Sequence, residues 1–333
     1  MKSQDELLAF ARETLGLPSS ADVELLPFSG RGSDRAYFRL RWPMTRSAIL
    51  VEYDPKRIEN TYFADIALFL RDVAVPVPEI FRHDAEKCLV LMEDLGDTDL
   101  WTLRDEPWTI RQTLYRKTLA AAHRLHSHLD FLSASRCVRM MDPFGPALYR
   151  WERDYFRMNF VEKLCGIQLD PDFSRELEAE LGGLAERLAS RPSALVHRDL
   201  QSQNVMIHQG EPCFIDFQGM RAGVLFYDLG SILCDPYVRF SEAERGELLL
   251  YYYSLSERDL DWKDFQMAFW EASTQRLMQA LGAYGFLACA KGLKQYLMHV
   301  PAGLQNLSLA AEKSGSFPRL LDLCARCEKA LAV

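Results

Sequence analysis

The chain has 333 residues, 48% of them hydrophobic and 26% charged, and its 39 basic and 47 acidic residues give a net charge of −8. These figures exclude a disordered or collagen-like chain, argue against a broad nucleic-acid footprint, and suit about two domains. The start, Met1 to Glu6, lacks the basic-then-apolar order of a secretory leader. The longest apolar stretch, Leu277 to Ala290, is too short to span a bilayer, so a cytoplasmic protein without a membrane partner is expected.

Residues 3–15 have helical spacing, with Ser3 placed to cap them. Residues 26–42 read as strand, turn with Gly30 and Gly32, and strand. In the second strand Tyr37, Arg39 and Arg41 share one face, and Phe38, Leu40 and Trp42 the other. Ser47 to Tyr53 is a third strand, and a helix over 59–72 is stopped by Pro76-Val77-Pro78. Phe81-Arg82 and Cys88 to Met92 complete a small, mostly antiparallel sheet. After the acidic break Glu93 to Asp97 the spacing predicts helices over 108–129, 146–164, 172–190, 242–254, 262–283 and 317–331. One island differs. Residues 195–219 read as a short strand, a polar loop and a hairpin turning at Gln209-Gly210, the setting in which function concentrates.

That loop holds Asp199, in His197-Arg198-Asp199, with Asn204 five residues later, and Asp216 ends the next strand. Phosphoryl transfer needs a group that orients the attacking hydroxyl and oxygens that hold Mg²⁺ against the phosphates. A carboxylate, an amide oxygen and a second carboxylate are hard ligands suited to that ion. In the general kinase template the loop aspartate receives the acceptor's proton, and the loop asparagine and later aspartate bind metal. His197 reads as a packing and hydrogen-bonding residue, and Asp228 as an N-cap before an apolar run. Cys324 and Cys327 form the sequence's one CxxC, without the second pair a zinc site needs, and His123, His126 and His128 have no acidic or thiol neighbour. All five read as ordinary residues.

The stretch VHRDLQSQNVMIHQGEPCFIDFQG, followed by Tyr227-Asp228-Leu229-Gly230, resembles the aminoglycoside phosphotransferase family, whose fold is that of protein kinases. The resemblance runs from Gly30 to about Leu323. Gly32-Ser33-Asp34-Arg35, Leu91 to Gly96, the Arg153…Phe160 to Leu164 helix and Gln275-Arg276 are similar to the branch of anomeric kinases for N-acetylmuramate and N-acetylglucosamine. It implies a bilobal α+β fold: residues 1–95 a nucleotide-binding β lobe, 96–99 a hinge, and 100–333 a helical lobe with the catalytic loop. It implies ATP and Mg²⁺ as cofactors, with Gly32, Ser33, Asp34, Arg35, Met92, Glu93 and Leu95 around the nucleotide. It also implies that Asp228 braces the catalytic loop. Two departures stand out. The GxGxxR loop lacks a third glycine, and the third strand reads Ile49-Leu50-Val51-Glu52 where the kinase pattern has a lysine, leaving Lys56, Arg35 or Arg39 to replace it.

The acceptor expected is a small molecule, with no obligate protein partner. Lys263 to Val333 carries eight basic and five acidic residues, which disfavours a polycation and suits a neutral or acidic amino sugar. Arg276, with Gln275 beside it, is the candidate partner of a sugar carboxylate. An aminoglycoside kinase, a choline or homoserine kinase, and a nucleotide-binding relative without activity remain as rivals.

Overall fold

The computed structural model describes residues 2–28, 35–44, 46–128, 138–256 and 260–332. Helix α1 (Gln4–Leu15) opens with a capping box: the Ser3 hydroxyl accepts the Glu6 amide at 3.3 Å while the Glu6 carboxylate accepts the Ser3 amide at 2.8 Å. Strands β1 (Glu24–Phe28), β2 (Ala36–Trp42), β3 (Arg46–Glu52), β4 (Ile80–Asp84) and β5 (Leu89–Glu93) form one antiparallel sheet in the order β1-β2-β3-β5-β4. Its period-2 alternation separates two cores. Leu40, Leu50, Leu89 and Leu91 pack with Leu7 and Phe10 of α1. Ile49, Val51 and Val90 pack with Phe63 and Ile66 of α2 (Ile58–Asp72). The strand and helix pattern of this lobe is the one the hydrophobic spacing predicts.

The second lobe contains α3 (Trp108–His126), α4 (Pro146–Phe156), a π-helical turn (Arg157–Leu164), α5 (Pro171–Ala189), α6 (Phe226–Leu233), α7 (Glu242–Leu255), α8 (Trp262–Cys289), α9 (Val300–Ser314) and α10 (Pro318–Leu331). Among them lie the hairpin β7 (Val205–His208) and β8 (Glu211–Phe214) and the pair β6 (Ala194–Val196) and β9 (Arg221–Gly223). No described helix is long and apolar enough to cross a membrane. Cys324 and Cys327 of α10 are buried in the core, as is Leu320 of the same helix.

Helix α8 is the pillar of this lobe. Its Gly285 lies against the backbone of the π-helical turn, where a Cβ would stand 2.3 Å from the Asn159 carbonyl oxygen. Wide π turns shift the backbone outward and recur at functional sites. Gly285→Ala is therefore expected to cost about 3 kcal/mol through backbone overlap. Gly246→Ala in α7, where a Cβ meets nothing within 4 Å, is expected to be neutral or stabilising. Denaturant midpoints at constant slope measure both.

Candidate active site

The loop after β6 is fixed by two buried carboxylates. Asp228 Oδ2 accepts the His197 amide at 2.6 Å and Oδ1 accepts the Arg198 amide at 2.8 Å. His126 Nε2 lies 3.1 Å from the same carboxylate, and its Nδ1 is 2.6 Å from the Tyr252 hydroxyl. Asp235 accepts the amides of Ser202 at 2.7 Å and Tyr237 at 2.9 Å. The His197 ring, 3.0 Å from the Ile215 carbonyl, ties the loop to the segment after β8 that carries Asp216, which lies two residues past the strand rather than at its end. The N-cap expectation for Asp228 is corrected: Leu225 occupies the N-cap position of α6 without a side-chain bond, and Asp228 lies inside the first turn with its carboxylate turned to the loop after β6. Arg198 (φ 80°) and Asp216 (φ 63°) both occupy the left-handed region, a strained conformation that the surrounding bonds hold.

Two cavities meet at this loop. The larger, about 340 Å³, lies between the lobes; the smaller, about 140 Å³, lies between the loop and α8. Gln203, Asn204 and Asp216 line both, whereas Asp199 lines the smaller alone. Burial pushes the Asp199 carboxyl up, but Arg198 and Arg276 offset this and hold it below its usual value. Asp199 is therefore an anion near neutral pH, ready to accept a hydrogen bond and then a proton. Asn204 donates through Nδ2 to the Asp199 carbonyl at 2.9 Å, leaving its Oδ1 as the acceptor end of the amide. That oxygen and the Asp216 carboxylate are a hard donor pair at the junction of the cavities, which fits a magnesium ion whose charge would offset that of phosphates crossing between them.

The larger cavity is lined by Arg35, Met92, Glu93 and Leu95 among the expected nucleotide residues; Gly32, Ser33 and Asp34 lie outside the described residues. Its walls are apolar, with Ile49 and Val51 from β3 on one side and Met206 and Ile215 on the other, which suits a flat ring. Of the candidates to replace the strand lysine, Lys56 is exposed and outside the lining. Arg39 turns to the acidic segment after β5, with Nε 2.8 Å from Asp94, Nη2 2.8 Å from Asp97, and a further bond to the Gly96 carbonyl. Arg35 is paired with Asp216 and donates to Gln218 Oε1 at 3.0 Å.

The smaller cavity corrects one expectation. Gln275 is fully buried behind it, donating to Glu152 Oε2 at 2.9 Å and to the Tyr149 carbonyl, and does not line it. Arg276 does line it, but its guanidinium is held by Ser231 Oγ at 2.6 Å and by Gln279, with Nη2 3.4 Å from Asp199. Its first anionic partner is the loop aspartate. It is also the one residue of the eight basic side chains counted from Lys263 onward that lines this wall. The remaining wall holds Gln201, Gln203 and Gln279 and three tyrosines, Tyr237, Tyr284 and Tyr296. Tyr284 and Tyr296 stack at 6.1 Å, and Tyr237 meets Tyr284 edge-on at 6.0 Å. The three tyrosines sit on different elements and are brought together only by the packing around α8.

An antiparallel β lobe over a helical lobe, with an aspartate facing an acceptor cavity that opens onto an interlobe cleft, defines a small-molecule kinase: a phosphotransferase with an alcohol group as acceptor. The chain belongs to the phosphotransferase enzyme family, whose sequence model matches residues 24–265. It is 25% identical over 314 residues to an N-acetylmuramate/N-acetylglucosamine kinase of Pseudomonas aeruginosa, covering 91% of this chain and 88% of the relative. Its fold is shared with a choline/ethanolamine kinase family protein from Mesorhizobium loti (TM-score 0.62, 15% identity, covering 96% of this chain and 99% of the other). It is also shared with the streptomycin–ATP–APH(2″)-IIa ternary complex (TM-score 0.58, 14% identity, 89% and 97%).

Proposed function

We propose that the protein uses ATP and Mg²⁺ to phosphorylate a neutral or acidic amino sugar of the N-acetylmuramate or N-acetylglucosamine type, at its anomeric hydroxyl. The observation that carries this reading is the composition of the acceptor cavity: Arg276 beside Asp199, three glutamine amides and three tyrosines. Amides match sugar hydroxyls and an acetamido group, and aromatic faces suit the apolar face of a pyranose. Names of relatives over nine-tenths of the chain agree. ATP is supported by the ternary complex among the fold's neighbours, and the interlobe cleft has the apolar walls a purine needs.

Asp199 accepts the hydrogen bond of the attacking hydroxyl and takes its proton as the new oxygen–phosphorus bond forms and the bond from the γ-phosphorus to the ADP oxygen breaks. A carboxylate held below its usual range is a weak base. It is better matched to an anomeric hydroxyl, more acidic than an ordinary alcohol, than to a primary one.

The tyrosine cluster favours a second reading, a quaternary ammonium alcohol such as choline, since cations bind aromatic faces. Asp199 and Asp216 outnumber Arg276 in the same small cavity, so charge does not decide against a cation; the glutamine amides and the relatives' names favour the amino sugar. Nucleotide consumption should be measured with N-acetylmuramate, N-acetylglucosamine, kanamycin, choline and homoserine. Turnover with the amino sugars and phosphate at the anomeric carbon is expected. Turnover with choline or kanamycin alone overturns the sugar assignment and keeps the kinase.

A further inference from the structure

The interlobe cleft has an electrostatic imbalance for a site that takes a polyphosphate. Among its described lining residues are five acids (Glu93, Asp94, Asp97, Asp99 and Asp216) and two cations, Arg35 and Arg39. Arg39 is committed at the acidic segment after β5, with two carboxylates and the Gly96 carbonyl around its guanidinium. The strand that faces the cleft offers only Ile49 and Val51. Arg35 is different in kind. It stands at the entry of β2, and its side chain is 11% exposed. Its guanidinium lies on Asp216, the carboxylate at the junction of the two cavities, and the Gln218 amide bridges the pair, accepting from Arg35 and donating to Asp216 Oδ1 at 3.0 Å.

We propose that Arg35 is the polyphosphate-binding cation of this cleft and that, without nucleotide, its guanidinium takes the place of the metal ion on Asp216. The inference rests on the kinase reading but not on the identity of the acceptor. A guanidinium forms paired bonds to phosphate oxygens as readily as to a carboxylate, so Arg35 has two alternative anionic partners within the cleft. When phosphates arrive with their metal, Asp216 passes to the ion and Arg35 to the phosphates. Asp216 thus exchanges one cation for another and Arg35 one anion for another, and neither Asp216 nor the phosphates face uncompensated charge. Gln218 keeps one bond to Asp216 in both arrangements and so fixes where the carboxylate points. The arrangement also makes metal entry depend on nucleotide: an ion alone must displace a buried guanidinium, whereas metal nucleotide supplies that guanidinium with a new partner.

The test uses the full chain and no acceptor, so its failure and that of the sugar assignment are distinct. ADP and adenosine binding are titrated for wild type, Arg35→Ala and Arg35→Lys, and Mn²⁺ binding without nucleotide is followed by its electron paramagnetic resonance signal. Arg35→Ala is expected to bind ADP roughly 10- to 100-fold more weakly, the loss of a charge-assisted contact, with adenosine unchanged and Arg35→Lys between the two. The same Ala variant is expected to bind Mn²⁺ more tightly than wild type, because Asp216 is uncovered. ADP affinity that is unchanged, or that falls in parallel with adenosine, overturns the phosphate role. Mn²⁺ affinity no higher than wild type overturns the exchange on Asp216.

Discussion

Asp199→Asn is expected to lower kcat by roughly 10²–10⁴-fold, the usual contribution of a positioned general base, and to leave nucleotide affinity unchanged. The second half follows from placement: Asp199 lines the acceptor cavity and not the interlobe cleft. The residual rate follows from chemistry, since an asparagine Oδ1 still accepts the hydrogen bond that orients the hydroxyl but does not take its proton. The pH dependence has a definite sign. Burial pushes the Asp199 carboxyl up, while Arg198 at 3.7 Å and Arg276 at 3.4 Å more than offset it and hold it below the ordinary carboxylate value. The ionised form is the active one, so the acid limb set by Asp199 is expected below about pH 4. Arg276→Gln removes one of the two charges and is expected to move that limb upward. Steady-state kinetics beside direct nucleotide titration check both statements. Nucleotide affinity that falls with turnover in Asp199→Asn would overturn the separation of the two cavities.

What the sequence made legible, and what it hid, divides along physical lines. The β lobe was readable because its strands are amphipathic with period 2. Leu40 and Leu50 face α1 while Ile49 and Val51 face the cleft, so alternation alone fixes which side is which. Asp199, Asn204 and Asp216 were readable because they cluster in one loop and just past the hairpin after it. The apolar run after Asp228 was legible as a helix but its start was not: α6 begins at Phe226, and all eight of its residues are buried, leaving no polar face to mark a period. Helix α9 is absent from the predicted elements because its start, Val300-Pro301-Ala302-Gly303, has low helix propensity, yet a proline within the first turn is compatible with a helix. The π-helical turn is invisible to a 3.6-residue template, and 146–164 therefore read as one helix. Strand β6 was legible as the short strand that opens residues 195–219, whereas β9, three residues long, is below the length at which alternation carries information. The misplacement of Gln275 has the same origin. Neighbours on a helix point about 100° apart, so Gln275 turns to Glu152 while Arg276 turns to Asp199. The basic excess counted over Lys263 to Val333 was a sum over a segment, and the cavity takes a single residue from it.

Asp216→Asn is the second large effect, and it separates metal binding from folding. The Arg35 guanidinium and Gln218 Nε2 each donate to Oδ1 of this carboxylate, an oxygen that asparagine retains. The backbone sits at φ 63°, a conformation in which asparagine is among the best tolerated residues. The fold around the site is therefore expected to persist. What disappears is the anionic oxygen at the junction of the two cavities, and with it the charge that attracts a divalent ion. Stabilisation of transferring charge by such an ion is worth about 4 kcal/mol, so kcat is expected to fall roughly a thousandfold. The diagnostic result is a change of sign in ADP binding. With Mg²⁺ present the variant is expected to bind ADP more weakly than wild type, because the ion has lost a ligand. With chelator present it is expected to bind ADP more tightly, because one negative charge beside the phosphates is gone. Calorimetric titration under both conditions reads the crossing directly. A variant that weakens ADP equally with and without metal would mean that Asp216 shapes the cleft rather than holding the ion, and the roles given to Asn204 and Asp216 would both fall.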